Sequence, residues 1–361
     1  MNDSIESALL LAVPGHIGMS LGATQARAKV AVDGSRAAVA LTLGFPQGPG
    51  AAASTREAVA AVLSANGLEL ASLEMTWRIA VHAPQPGVSP LPQVRNIIAV
   101  GSGKGGVGKS TTAVNLALAL AGEGARVGLL DADVYGPSVP TMLGLSGRPD
   151  SPYGKMIEPM RAFGIEAMSI GLMVEQDTPM IWRGPMATSA LTQLLTQTLW
   201  GSDTGGLDYL IVDLPPGTGD IQLTLAQKIP VAGAVIVTTP QEVATMDARK
   251  ALRMFEKVQV PVLGLIENMA VHVCGQCGHV EHLFGEGGAR RMAEQYGVPL
   301  LGSLPLQQAI REQGDHGVPI VAYAPESSAA ACYRETALRL AAMLASRPRA
   351  PMPIASSLMG E

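Results

Sequence analysis

The stretch that most limits what this chain can fold into is Gly103-Lys104-Gly105-Gly106-Val107-Gly108-Lys109-Ser110. An apolar run, Asn96-Ile97-Ile98-Ala99-Val100, precedes it, and a helical pattern from Thr111 to Ala121 follows. Strand, glycine-rich loop and helix in that order are the context a phosphate-binding loop requires. Four glycines let the backbone wrap a polyphosphate with its N–H groups turned inward, and the helix N-terminus adds its positive dipole end. Lys109 is placed to reach the β- and γ-phosphates, and the Ser110 hydroxyl to ligate Mg²⁺. The expected nucleotide-binding set is Gly103, Lys104, Gly105, Gly106, Val107, Gly108, Lys109, Ser110 and Thr111, with ATP and Mg²⁺ as cofactors.

The remaining pattern fits a sheet built around that loop. Arg126 to Leu130 reads as a buried strand ending in Asp131-Ala132-Asp133, and Asp208 to Val212 as another closed by Asp213. A carboxylate at a strand's carboxyl end, beside phosphates, suits Mg²⁺ or water positioning; a turn or helix cap is the bland alternative, stronger for Asp131 than for Asp133. Ala234 to Thr238 and Val262 to Ile266 supply two more strands around a helical stretch, Ala244 to Val258. This alternation predicts an α/β fold: a mostly parallel, doubly wound P-loop NTPase sheet with right-handed crossovers. A hydrophobic content of 47%, rich in Ala, Val and Leu, suits strands covered on both faces. In Leu214-Pro215-Pro216-Gly217-Thr218-Gly219-Asp220, Gly217 is placed to offer its N–H to a γ-phosphate and to move when that phosphate leaves.

Ahead of this unit, residues 1–82 read as a small α+β domain. Its expected strands are Ala28–Val32, Ala37–Leu43 and Leu73–Val81, with Asp33-Gly34 as a hairpin turn. A helix is expected over Ser54 to Leu63, capped by Ser54 or Thr55. Residues 83–93, rich in proline, read as a stiff linker. The ATPase unit is expected over 94–346, and 347–361 as a disordered tail opposed to regular structure by Pro348, Pro351 and Pro353.

Charge and composition exclude some functions. A net charge of −5 leaves no electrostatic footprint for nucleic acid, and 4% aromatics leave no stacking platform. The longest apolar runs fall far short of the roughly 20 residues a membrane span needs. The first residues carry Asp3 and Glu6 without a basic region, so no secretory leader is expected, and three cysteines fit a reducing cytoplasm.

Cys274-Gly275-Gln276-Cys277 carries the second chemistry. A lone C-x-x-C fits a redox disulfide, half a zinc site, or neither. A one-chain Cys₂His₂ finger with His279 and His282 is disfavoured because the histidines follow too closely. Two thiolates cannot complete a tetrahedral site or hold a four-iron cluster, whereas two chains supply four. Cys332, among apolar neighbours, reads as a buried structural thiol.

Lys-Gly-Gly-Val-Gly-Lys-Ser-Thr resembles the deviant phosphate loop of the nitrogenase-iron-protein, septum-site-selection and chromosome-partitioning superfamily. Together with Arg183-Gly184-Pro185-Met186, Asp213 to Asp220, Glu267-Asn268-Met269 and the cysteine pair, the chain is similar to the Mrp/ApbC-type P-loop iron–sulfur cluster carrier ATPases over about Asn96 to Ser346. That resemblance implies a homodimer in which Lys104 reaches the partner's nucleotide. It implies that Asp133 orients the attacking water, Asp213 holds Mg²⁺ through water and Asn268 reads adenine. Cys274 and Cys277 would share a [4Fe–4S] cluster across the dimer, delivered to apo iron–sulfur proteins and exchanged with cluster scaffold proteins, with no nucleic acid or membrane partner. The first 82 residues resemble a small domain related to iron–sulfur assembly factors. The Asp-Pro-Glu and Cys typical there are replaced by Val13-Pro14-Gly15-His16 and Phe45-Pro46-Gln47-Gly48, so a docking or scaffolding role is expected. Two readings compete: a spatial-organisation ATPase of the septum or partitioning kind, and a zinc-stabilised nucleotide-binding module.

Overall fold

The computed structural model describes residues 2–152, 154–173 and 184–350. The chain opens with α1 (Asn2–Leu10), β1 (Arg27–Asp33), β2 (Arg36–Leu43), α2 (Pro49–Ala65) and β3 (Glu69–Trp77). β1 and β2 are an antiparallel hairpin turned at Gly34, whose φ of +58° suits glycine. β3 returns parallel to β2, with Arg36 opposite Glu69 and Leu43 opposite Trp77. This pairing sets the third strand four residues earlier than the expected Leu73–Val81. α2 also starts early: Gly48 caps it and Pro49 takes the first turn, so Ser54 and Thr55 lie inside the helix.

The second unit runs β4 (Val94–Ser102), α3 (Lys109–Gly122), β5 (Val127–Asp131), α4 (Val139–Met142), β6 (Met160–Ala162), β7 (Ile165–Ser169), α5 (Gly184–Gln197), β8 (Leu207–Asp213) and α6 (Asp220–Lys228). It continues with β9 (Val231–Thr238), α7 (Glu242–Lys257), β10 (Val262–Val273), β11 (Val280–Glu281), α8 (Gly288–Tyr296), β12 (Leu300–Leu306), α9 (Gln308–Asp315), α10 (Ile320–Tyr323) and α11 (Ser328–Ala345). The sheet order is β11-β10-β9-β4-β8-β5-β7-β6, with β12 also paired to β10. Within this sheet, among the described residues, the β10–β11 and β6–β7 strand pairs are antiparallel and the others parallel.

Why these strands read as continuous apolar runs is visible in the packing. Ile98, Val100, Leu129 and Ile211 face one core, while Ile97, Ala99, Leu130 and Val212 face the other. Successive side chains alternate between two buried faces, so the middles of β4, β5 and β8 carry no polar side chain, and the acids Asp131 and Asp213 stand only at the carboxyl ends. No described helix is long and apolar enough to cross a membrane.

The small unit is fused to the larger one rather than tethered. Leu9, Leu41, Leu43 and Phe45 belong to the same buried cluster as Ala113, Ala117, Leu338 and Ala341 of α3 and α11. A Cβ on Gly44 would stand 2.9 Å from the Thr24 carbonyl oxygen and 3.0 Å from the Ala345 methyl, so glycine suits that close approach. The Gly48 N–H donates at 2.5 Å to the buried Glu123 carboxylate at the end of α3. The proline-rich segment is anchored as well: Gln85 Nε2 donates to Ala226 O and Ile229 O, and Gln85 Oε1 accepts from Val231 N–H. Residues 347–350, expected to begin a tail, pack back instead. The Ala350 N–H donates to Val81 O, and Gln25 Nε2 to Arg347 O. Residues 351–361, the rest of the expected tail, lie outside the described residues, as does Arg183.

Candidate nucleotide and metal site

The carboxyl ends of β4, β5, β8, β9 and β10 meet at one edge of the sheet, and the glycine loop leaves β4 there. β4 lies between β9 and β8, where the chain order reverses and an open α/β sheet offers its crevice. Gly106 and Gly108 have φ of +78° and +79°. Gly103 is required for a different reason: a Cβ there would stand 2.1 Å from the Asp247 carbonyl carbon of α7. Backbone cannot yield as a flexible side chain can. Gly103→Ala is therefore expected to cost about 1–3 kcal/mol of stability and to weaken nucleotide binding, read by thermal unfolding and by titration with ATP. An unchanged melting temperature would contradict the close seat of α7 on the loop.

Lys109 is buried, and its ammonium nitrogen lies 2.5 Å from Asp213 Oδ1, 3.2 Å from Ser110 Oγ and 3.9 Å from Asp133 Oδ2. The structure thus brings Lys109, Ser110, Asp133 and Asp213 into one cluster. Asp213 Oδ2 is buried without a hydrogen-bond partner, and Ser110 Oγ lies beside the same carboxylate. A buried carboxylate oxygen left free next to a hydroxyl fits a hydrated Mg²⁺. Burial raises the Asp213 carboxyl above the usual range despite the Lys109 charge.

Asp131 lies beside Asp213 in register and is fully buried. Burial, then the Asp213 charge, push it up to about 7. Its Oδ1 accepts the Asp133 N–H, while its Oδ2 accepts the Val139 N–H at the start of α4 and the Ser169 hydroxyl. Asp131 is a turn and cap residue that holds the Asp133 loop in place. Ser169 had no expected role; the signal for it is a hydroxyl at the carboxyl end of β7.

Gly217, with φ +93°, donates its N–H to Ser102 O at 3.1 Å, tying the Leu214–Asp220 segment to the end of β4. Asn268 Nδ2 donates to Val107 O at 2.9 Å, so this residue also braces the loop. The Thr111 carbonyl accepts from Asn115 Nδ2 within α3. Lys104 is half-exposed and makes no ion pair among the described residues.

β10 extends past the sheet edge into a short hairpin with β11. Cys274 N–H donates to His279 O and Gly278 N–H to Cys274 O, closing a tight turn. Cys277 is exposed and Cys274 half-exposed, both as free thiols. The backbone N–H groups of Cys277 and Gln276 turn toward the Cys274 sulfur and hold its thiol below the usual range. No group of three or more His, Cys, Asp or Glu side chains stands close enough to hold a metal ion among the described residues. Cys332, expected to be buried, is half-buried on the wall of a cleft between α8 and α11.

Residues 93–341 match the model of the NUBPL iron-transfer P-loop NTPase family. The chain is 56% identical over 280 residues to an iron-sulfur cluster carrier protein of Pseudomonas fragi, covering 77% of this chain and 96% of that one. It is 51% identical over 265 residues to the mouse iron-sulfur cluster transfer protein NUBPL, covering 73% and 82%. Among solved structures, it is similar to a nucleotide-binding protein from Archaeoglobus fulgidus in complex with ADP: TM-score 0.54, 38% identity, 63% of this chain and 88% of that one.

Proposed function

The chain belongs to the NUBPL iron-transfer P-loop NTPase family, and from that premise we propose that it binds an iron–sulfur cluster and delivers it to apo-proteins, as a homodimer that binds and hydrolyses ATP. The observation that carries this reading is the hairpin at the end of β10. It presents two accessible thiols with no third ligand within reach among the described residues. A second copy supplies the other two thiolates that a [4Fe–4S] cluster needs. Exposed Val273, Val280 and Leu283 on the hairpin, and Val243 and Met246 on α7 beside the phosphate loop, give that copy an apolar surface to cover. Three free cysteines among the described residues suit a reducing cytoplasm.

In the hydrolytic site the loop amides from Gly103 to Thr111 cradle the polyphosphate and Lys109 neutralises its terminal charge. Ser110 and Asp213 would hold Mg²⁺, which would supply further charge neutralisation there. Asp133 orients the attacking water, held in its place by Asp131. Gly217 exchanges its Ser102 partner for the γ-phosphate, and Asn268 meets the adenine.

Lys104 acts from the neighbouring chain. Lys104→Ala is expected to lower hydrolysis by roughly 10²-fold, as loss of one transition-state donor does, with little effect on ATP affinity. Mixing Lys104→Ala and Asp133→Ala chains should restore about a quarter of wild-type activity, because half the dimers are mixed and each has one complete site. No restoration would assign Lys104 to its own chain's nucleotide.

Cluster delivery is tested by loading the chain anaerobically and presenting it to an apo-enzyme that needs a [4Fe–4S] cluster, with an iron chelator present. Activation that outpaces free iron and sulfide and survives the chelator supports a carrier. Activation that the chelator abolishes equally in both cases contradicts it.

A further inference from the structure

We propose that residues 268–272 of β10 form a mechanical link that carries the state of the phosphate loop to the cysteine hairpin; this rests on the carrier reading of Cys274 and Cys277. The link is anchored at both ends. At the loop, Asn268 Nδ2 donates to Val107 O at 2.9 Å, and a Cβ on Gly108 would stand 2.1 Å from that nitrogen. At the hairpin, the His282 ring Nδ1 lies 3.0 Å from Ala270 O, and the His272 ring Nδ1 3.0 Å from Leu306 O. Val273 ends the strand and Cys274 follows.

Between the anchors the strand is irregular. From Glu267 to Val271, β10 advances four residues while β12 advances two, from Ser303 to Pro305. The surplus is accommodated by Met269, which holds φ of +56°. A non-glycine residue persists in that region only where its surroundings over-determine it, and such outliers gather at moving parts. The narrow left-handed well leaves Met269 little torsional play. When Val107 and Gly108 settle around a polyphosphate, Asn268 moves with them. A stiff residue 269 passes that displacement to Ala270, and so to His282 and the thiols. A glycine there would absorb it.

The test uses the metal-free full-length chain. Alkylation rates of Cys274 and Cys277 by iodoacetamide are read residue by residue in mass spectra, with and without Mg-ATP, and ATP affinity is measured in the same samples. In the wild type, nucleotide should change the rates by at least about fivefold, the lower end of ordinary coupling between sites. Met269→Gly should bind ATP yet lose the change. Met269→Asn, which tolerates the left-handed backbone but keeps a Cβ, should retain it. Wild-type rates that ignore bound nucleotide would overturn the link. So would a full response in Met269→Gly, which would assign the effect to dimer closure alone. A chain whose thiols respond but which carries no iron would leave the link standing and refute the carrier reading.

Discussion

Cys274→Ala and Cys277→Ala should each reduce iron retained after anaerobic loading from about four atoms per dimer to a small fraction of that, because two thiolates per dimer cannot hold a four-iron cluster. ATP affinity should stay within about twofold of wild type, since affinity follows contacts at the site itself and the hairpin cysteines make none with the phosphate loop. Cys332→Ala should load normally: its half-buried thiol lies in the cleft between α8 and α11, away from the hairpin. Iron and sulfide assays on gel-filtered protein read the first outcome, and a fluorescent ATP analogue the second. Full loading of a hairpin variant would remove the replaced cysteine from the cluster site and contradict the four-thiolate arrangement.

If the proposed hydrolytic site is right, Lys109→Ala should lower ATP hydrolysis by at least ~10³-fold, since the lysine would neutralise charge that builds on the transferred phosphoryl group. The sequence leads one to expect this with the fold intact; the structure adds a cost. Lys109 is the cation paired with the fully buried Asp213. Removing it leaves an uncompensated buried carboxylate, worth about 3–5 kcal/mol when one partner of a buried pair is deleted. The sign with pH follows from Asp213. Its folded-state pKa is already above the unfolded value and rises further without the ammonium. The native form then holds a proton that the unfolded chain releases, so the loss of stability is smallest in acid and grows as pH rises above the ordinary carboxylate range. Chemical denaturation at pH 5 and pH 8 reads this. A larger loss at pH 5 would contradict the Lys109–Asp213 geometry.

The parallel sheet and the nucleotide loop were legible because their signals are local. Ile97-Ile98-Ala99-Val100 and Leu210-Ile211-Val212 are apolar at every position because both faces are covered, and the glycine spacing declares the loop without reference to the rest of the chain. What was not legible depends on contacts distant in sequence. α2 starts at Pro49 because Glu123, 75 residues away, takes the Gly48 N–H. The small unit shares a core with α3 and α11 through alanines such as Ala117 and Ala341, and an alanine face does not reveal what covers it. Asn268 was expected at the adenine, but its bond to Val107 shows it bracing the loop as well. Met269 has no left-handed preference of its own; only the mismatch with β12 imposes the conformation.

The cysteine hairpin divides differently. C-x-x-C singles out Cys274 and Cys277 as the candidate ligands of the proposed cluster, but it does not name the metal, because four thiolates from two chains suit either zinc or an iron–sulfur cluster. The most direct measurement is therefore the metal content of the dimer after anaerobic incubation with iron and sulfide, with iron, zinc and acid-labile sulfide counted on protein separated by size and the absorption spectrum recorded. The carrier account predicts about four irons and four sulfides per two chains, with the broad visible absorption of a thiolate-bound cluster. One zinc per two chains and no iron would contradict it, and would leave a zinc-stabilised nucleotide-binding module in its place.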